Sequence, residues 1–238
     1  MTLPTFFVCT MYCGEPDFPH CQAMIARQQN VIIKHALIEN LPELDAHNTL
    51  YQTFNDVDPT WIRAKIDADV VLSDEYVLAK IAADLQIRKN AIGLMPFVHD
   101  YMTDSEIHAG VTFYTSAARF RVQSNPLKCD RDMLEGDEKL VREYGLVGRH
   151  MHHANELTAF RYGLHRGLKS QLKILDLVEK AYVKYRDPIR LMAIKGFYVG
   201  QNDPRFNVWH QTGLDVPSQH NYEDAEFLAM FREQLNKR

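Results

Sequence analysis

The chain has 238 residues, which is enough for one full α/β domain with an extension and too few for two large domains. Its residues are 46% hydrophobic and 24% charged, so we expect a sizeable core rather than disorder. The formal net charge of −4, with no Lys/Arg cluster in the sequence, argues against a nucleic-acid partner.

The N-terminal sequence MTLPTFFVCTMYC has neither the positive region nor the apolar length of a secretory signal. No stretch of the sequence approaches the roughly 18 apolar residues of a membrane-spanning helix. We therefore expect a soluble, cytoplasmic protein.

The first half of the chain alternates predicted strands and helices. In chain order these are the strand TFFVCTMY, a helix over 20–29, the strand NVIIKHALI, a helix over 42–54, the strand WIRAKIDADVVL and a helix over 76–88. This order is typical of a parallel sheet flanked by helices, in which ligands bind at the carboxyl ends of the strands. AIGLMPFVHDYM and HAGVTFYTSAARF are predicted to follow as two antiparallel strands.

The last third of the chain is predicted to begin with one long helix, ELTAFRYGLHRGLKSQLKILDLVEKAYVKY. Apolar residues recur along it every four positions, at Phe160, Leu164, Leu168 and Leu172. Basic residues form a parallel basic stripe, at Arg161, His165, Lys169 and Lys173. Such a stripe is typical of a solvated helix face, and it also suits an anionic membrane surface or a phosphate-bearing substrate.

Two carboxylates stand one residue apart in the apolar segment KIDADVVL, at Asp67 and Asp69. Burying an unpaired carboxylate costs several kcal/mol or shifts its pKa until it is neutral, so both acids need a partner. Side chains at i and i+2 of a strand point the same way, so the two carboxylates would converge on one point if the strand continues and would fan around that point if the strand ends there. Hard cations such as Mg2+ and Mn2+ prefer oxygen ligands, so the pair predicts a divalent-cation site.

The order of strands and helices, closed by this D-x-D pattern, resembles the GT-A fold glycosyltransferases, especially those of family 2. The resemblance implies an α/β fold of the GT-A (Rossmann-like) type, with a mostly parallel central sheet flanked by helices and a C-terminal helical extension. It also implies a domain division. Residues 1–155 would form the nucleotide-sugar-binding and catalytic domain, and 156–238 a mainly helical extension packed on it.

The resemblance implies Mn2+ or Mg2+ as the cofactor. Asp69 would bind the cation that carries the donor's diphosphate, and Asp67 would contact the ribose, or the metal through water. The segment GLVGRHMHHAN places His150, His152 and His153 where family members often carry a further metal ligand. Of these we predict His152 or His153 as the ligand.

The resemblance also implies contacts to the nucleotide sugar. Thr10, Tyr12 and Glu15 at the end of the first strand are candidates for base or ribose contacts, and Asp100 is a candidate for the sugar hydroxyls. A polar hairpin turn is the alternative interpretation of the segment around Asp100.

A second acidic segment, LEGDEKLVREYG, resembles the family segment that supplies the catalytic base of inverting members at the start of a helix. The candidates for the base are Asp137 and Glu138. Acids are also favoured in the first turn of a helix, so helix capping is the alternative interpretation.

Together these features predict a metal-dependent, inverting glycosyltransferase that moves a sugar from a nucleoside-diphosphate sugar to a hydroxyl of a glycan or lipid-linked acceptor, in polysaccharide or glycoconjugate biosynthesis. A lipid-linked acceptor would bring the protein to the inner face of the membrane. A sugar nucleotidyltransferase is one alternative, although the turn MYCGEPDFPH lacks the Gly-rich basic loop that cradles a triphosphate. The other alternative is a non-catalytic carbohydrate-binding or assembly protein with a GT-A-like fold.

Overall fold

The computed structural model describes residues 2–124, 134–135, 139–202 and 232–233. Within these ranges the chain forms one eight-stranded sheet and six helices. The strands are β1 (Thr5–Tyr12), β2 (Ile32–Glu39), β3 (Ile62–Ile66), β4 (Val70–Leu72), β5 (Gly93–Asp100), β6 (Ser105–Ile107), β7 (Val111–Tyr114) and β8 (Leu140–His150). The helices are α1 (Phe18–Ala26), α2 (Glu43–Asp56), α3 (Val77–Ile87), α4 (Glu156–Leu168), α5 (Leu172–Tyr185) and α6 (Pro188–Gln201).

The sheet is mixed, with the strand order β2-β1-β3-β7-β5-β8-β4, and β6 pairs with β5. β1 runs parallel to β2 and β3, and β5 runs parallel to β8. β7 is antiparallel to both β3 and β5, and β4 is antiparallel to β8. The predicted α/β fold class is confirmed, and the arrangement is consistent with a Rossmann-like fold.

The main core lies between the sheet and helices α1 and α3. Phe6 from β1 and Ile66 from β3 are fully buried, as are Leu78 and Ile81 of α3. The apolar positions of α3 recur at i, i+3 and i+4, which is why one side of this helix packs on the sheet. Each helix in the described ranges is too short or too polar to cross a bilayer.

The segment WIRAKIDADVVL forms two strands rather than one. β3 ends at Ile66 and pairs with β1 and β7, whereas β4 begins at Val70 and pairs with β8. The two aspartates occupy the connection between them. Because the strand ends before Asp67, the two carboxylates are not constrained to point the same way.

Two helix predictions are corrected by the structure. Residues 140–145, predicted to continue a helix after the acidic segment, belong to β8, because Leu140, Val141 and Tyr144 pair with Gly93, Leu94 and Pro96 of β5. The single long helix of the last third is two helices, α4 and α5, separated at Ser170, whose φ of 52° is left-handed. The buried apolar repeat ends at the break, because Phe160, Leu164 and Leu168 of α4 are buried whereas Leu172 of α5 is 56% exposed.

Helix α4 begins with a capping box. The Asn155 side chain accepts a hydrogen bond from the Thr158 backbone N–H at 2.9 Å, and Thr158 Oγ1 accepts one from the Asn155 N–H at 2.9 Å. These bonds satisfy backbone donors that the first turn of a helix leaves without partners.

Replacing Asn155 with alanine should lower the free energy of unfolding by about 1 kcal/mol, since the cap is lost while the helix remains. Denaturant unfolding measures the change, and Asn155→Ser is the matched control because serine also caps helices. Equal losses in the two variants would show that the cap does not contribute.

Candidate functional site

Backbone hydrogen bonds fix the position of the connection between β3 and β4. The Asp67 N–H donates to Gly110 O at 2.7 Å, and the Ala68 N–H donates to Met11 O at 3.3 Å. Asp69 O accepts from the Met151 N–H at 2.9 Å. These bonds tie the two aspartates to the ends of β1, β7 and β8, so the carboxylates lie at a defined place on the rim of the sheet.

Asp67 is paired with a lysine of the preceding strand, β3. Lys65 Nζ lies 2.8 Å from both carboxylate oxygens of Asp67. Burial raises the pKa of Asp67, Lys65 acts against that shift, and the nearby Asp69 adds to it. Sequence analysis missed this partner, although the i, i+2 spacing of Lys65 and Asp67 in a strand was a signal for it.

Asp69 lies beside His150. Asp69 Oδ2 is 3.2 Å from His150 Nε2, and His150 Nδ1 is 2.6 Å from Asp100 Oδ1. The strand register explains the arrangement, because His150 of β8 is opposite Asp100 of β5 on one side and Val70 of β4 on the other. The imidazole therefore bridges the D-x-D connection and the end of β5.

The charges of this group depend on one another. Burial alone would lower the pKa of His150, but Asp69 and Asp100 outweigh it and raise that pKa to about 10. Burial acts to raise the pKa of Asp69, and the charge and hydrogen bond of His150 outweigh it and lower that pKa. A protonated His150 is thus shared between two carboxylates in the absence of other ligands.

The other two histidines of the segment have separate partners. His152 Nε2 lies 3.3 Å from His99 Nδ1. His153 Nδ1 lies 2.6 Å from the buried carboxylate of Asp17, and its ring stacks on His20 with the centroids 4.2 Å apart. The structure therefore brings His150 to Asp69. The metal ligands predicted from the sequence were His152 or His153, and metal binding by either of them remains a prediction.

The residues around Asp69 fit a divalent cation that shares its ligands with a substrate. Asp69 Oδ1 is buried and has no hydrogen bond from another described residue. In the part of the chain that the structure describes, no three His, Cys, Asp or Glu side chains form a group that could hold a metal alone. Asp69 and His150 would supply an oxygen and a nitrogen ligand, and Mg2+ commonly takes the rest from water and phosphate. Ligation by His150 requires Nε2 to lose its proton.

These residues border a cavity of about 1530 Å³. Asp67, Asp69 and His150 line it from the side of the sheet. Tyr12 and Glu15 also line it, as predicted nucleotide contacts would. Burial raises the pKa of Glu15 and Asp69 adds to the shift, while Glu15 accepts hydrogen bonds from the N–H and the thiol of Cys13.

Two other predicted contact residues, Thr10 and Asp100, are buried and contact neighbouring side chains instead. Thr10 is 0% exposed, and its hydroxyl lies 3.0 Å from His35 Nε2 of β2. Asp100 is also 0% exposed, with its oxygens bonded to His150 and Thr103. The predicted direct contact of Asp100 with a sugar therefore differs from the structure, in which this carboxylate acts on His150. The predicted catalytic residues Asp137 and Glu138 lie outside the described residues.

The basic stripe faces the cavity rather than the solvent alone. Arg161, His165 and Lys173 are among the residues that line the cavity. His165 Nε2 lies 3.6 Å from one carboxylate oxygen of Glu43 in α2, and Lys169 Nζ lies 4.0 Å from the other. Helix α4 therefore contributes basic side chains to the cavity that the two aspartates also line.

Comparison with known proteins found no matching family model and no matching curated protein. Among solved structures, the chain is similar to the mannosyltransferase PcManGT from Pyrobaculum calidifontis in complex with GDP-Man and Mn2+. That match has 10% sequence identity and a TM-score of 0.43, and it covers 97% of this chain and 84% of that chain. The chain is also similar to S. aureus TarS 1-349, with 8% identity and a TM-score of 0.43, over 87% of this chain and 75% of that chain.

Proposed function

We propose that the protein is a metal-dependent, inverting glycosyltransferase, which moves a sugar from a nucleoside-diphosphate sugar to a hydroxyl of a glycan or lipid-linked acceptor in glycoconjugate biosynthesis. The proposal rests on one observation: Asp67 and Asp69 follow a parallel strand, border a cavity and face His150. A cavity of about 1530 Å³ is larger than the usual small-molecule pocket of about 300–1,000 Å³. It has room for a donor and an acceptor together.

The residues near Asp69 have separate roles in binding the donor. Asp69 and His150 would hold the divalent cation, which would supply positive charge to the leaving diphosphate. Asp100 is a positioning residue, because its carboxylate accepts the Nδ1–H of His150 and so directs Nε2 toward Asp69. Lys65 favours the ionised form of Asp67, in which this carboxylate can accept a hydrogen bond from a ribose hydroxyl.

Transfer also requires a base for the acceptor. The acceptor hydroxyl attacks the anomeric carbon from the face opposite the leaving diphosphate, and its proton goes to a carboxylate. Asp137, or Glu138, is the proposed acceptor of that proton. Attack from the opposite face gives inversion at the anomeric carbon.

A donor panel tests the proposed function. The protein is incubated with UDP-, GDP- and dTDP-sugars, with and without Mn2+, and the products are separated. We expect binding of one donor class to depend on Mn2+, with slow release of the nucleoside diphosphate and free sugar. Formation of a nucleotide sugar and pyrophosphate from a nucleoside triphosphate and a sugar 1-phosphate would instead indicate a nucleotidyltransferase. A panel without any Mn2+-dependent binding would contradict the proposal.

Substitution of each histidine distinguishes the metal ligands. His150→Gln should weaken Mn2+ binding in the presence of nucleoside diphosphate by on the order of 10- to 100-fold or more, because a ligand is removed. His152→Gln and His153→Gln are the matched controls and should leave Mn2+ binding largely unchanged, since their rings contact His99 and Asp17. Mn2+ titration by calorimetry measures all three. Loss of affinity in a control variant alone would place the metal at the pair predicted from the sequence.

A further inference from the structure

The wall of the cavity formed by α4 and the start of α5 has the chemistry of an anion site. Arg161 and Arg166 of α4 line the cavity together with Lys173 of α5. The helix break at Ser170 lets α5 begin on the same side, so the positive charges continue past the end of α4. This basic wall, defined by Arg161, Arg166 and Lys173, lines the same cavity as the two aspartates.

Arg166 is held in a fixed orientation. Its Nη1 donates to Gln171 Oε1 at 3.0 Å, and its guanidinium carbon lies 5.0 Å from the centre of the Tyr162 ring. Its Nε is buried and has no hydrogen-bond acceptor among the described residues. A guanidinium with a fixed orientation and an N–H donor without an acceptor is suited to bind an anionic ligand.

Three of the acids that line the cavity have basic partners other than Arg166. Asp67 is paired with Lys65, and Asp69 with His150. Glu43 contacts His165 and Lys169. No carboxylate in the part of the chain that the structure describes forms an ion pair with Arg166, so an anionic ligand would meet a net positive surface there.

The position of the basic wall indicates which part of the substrates would meet it. The Tyr162 ring lies 6.4 Å from the His150 ring, and Arg166 packs on Tyr162. The wall therefore starts beside the Asp69–His150 pair and extends away from it. In the proposed function, a cation at Asp69 would balance the donor's diphosphate, whereas an acceptor that approaches the sugar would pass along the wall.

We propose that this basic wall recognises a phosphate or carboxylate group on the acceptor, so the acceptor is anionic rather than a neutral sugar. The inference rests on the proposed function, because it needs a donor site at Asp69.

The test compares a charged and a neutral sugar on the full chain. The protein is saturated with Mn2+ and with UDP or GDP, whichever the donor panel selects, and is titrated with glucose 6-phosphate and with glucose. We expect glucose 6-phosphate to bind at least about tenfold more tightly than glucose. Arg166→Gln combined with Lys173→Gln should remove that preference while leaving the affinity for the nucleoside diphosphate unchanged.

A control variant with the same change in net charge accompanies the test. Arg88→Gln combined with Lys180→Gln removes two exposed charges that lie in surface ion pairs with Asp84 and Asp176, and it should keep the preference. If the double variant at Arg166 and Lys173 does not fold, Lys173→Gln alone, at an exposed position, should reduce the preference.

Four results would overturn the inference. They are equal binding of the two sugars, an equal loss in the control variant, a retained preference in the Arg166 and Lys173 variant, and a parallel loss of nucleoside-diphosphate affinity, which would assign the wall to the donor. Failure of the proposed function looks different, because the wild-type protein would then bind no nucleoside diphosphate with Mn2+. In that case titration with inorganic phosphate alone tests the wall, and equal phosphate affinity of the wild type and the double variant overturns the inference.

Discussion

Replacing Asp69 with asparagine is expected to lower Mn2+-dependent turnover of the nucleotide sugar by about 100-fold or more in kcat/KM. Asparagine keeps the shape of the side chain and removes the negative charge, so the cation loses its anionic protein ligand at the point where the diphosphate leaves. Donor hydrolysis and Mn2+ titration measure the effect. Asp176→Asn is the matched control, because Asp176 is exposed on α5 and pairs only with Lys180 at i, i+4 among the described residues.

The stability of the Asp69→Asn protein must be followed in the same experiment. The substitution also removes one carboxylate from the protonated His150, so some loss of thermal stability is expected, since breaking a partly buried ion pair is unfavourable. Turnover is therefore measured well below the unfolding temperature of the variant. A folded Asp69→Asn protein with wild-type turnover and Mn2+ dependence would contradict the proposed role of the D-x-D segment.

Replacing Gly163 with alanine is expected to destabilise the protein by about 3 kcal/mol or more, even though alanine favours helix by about 1 kcal/mol over glycine. A Cβ at Gly163 would lie 1.8 Å from the backbone oxygen of Ala193 in α6. Backbone atoms cannot move aside as a flexible side chain can, so the two helices must separate. The packing cost then exceeds the gain in helix propensity.

The same close contact recurs along the interface of α4 and α6. Added Cβ atoms at Gly167, Gly196 and Gly200 would lie 2.1–2.3 Å from backbone oxygens of the facing helix. Thermal unfolding measures the effect, and for a chain of this size each kcal/mol corresponds to roughly 2–4 °C in Tm. Gly145→Ala is the control, because nothing lies within 4 Å of its added Cβ. Equal Tm values for Gly163→Ala and the wild type would show that the helices are not packed as described.

The candidate site could be predicted in part. The D-x-D segment stood out in the sequence because two acids interrupt an apolar run, and the parallel strands predicted where such a segment lies. The partner of Asp69 could not be selected, since three histidines occur within four positions, at 150, 152 and 153. Only the pairing of β8 with β5 and β4 decides that His150 is the one beside Asp69.

Local sequence determined the elements whose side chains alternate or repeat along one segment. β1 agrees with its predicted bounds, and α3 agrees to within one residue at each end, because each carries its own period of apolar residues. The close approach of α4 and α6 could not be predicted in this way, because a glycine in the sequence does not show which element packs against it. What fills the space is a helix about 30 residues away in sequence, at Ala193 and Phe197.

The sequence by itself determined that the chain forms an α/β fold, that its acids at 67 and 69 end a buried strand, and that basic residues line one side of α4. The tertiary structure alone decided the break at Ser170, the strand at 140–150 and the contact of Asp69 with His150. The physical reason is the range of the interactions. Periodicity and burial cost act within a segment, whereas strand register and helix packing are set by partners that are distant in the chain.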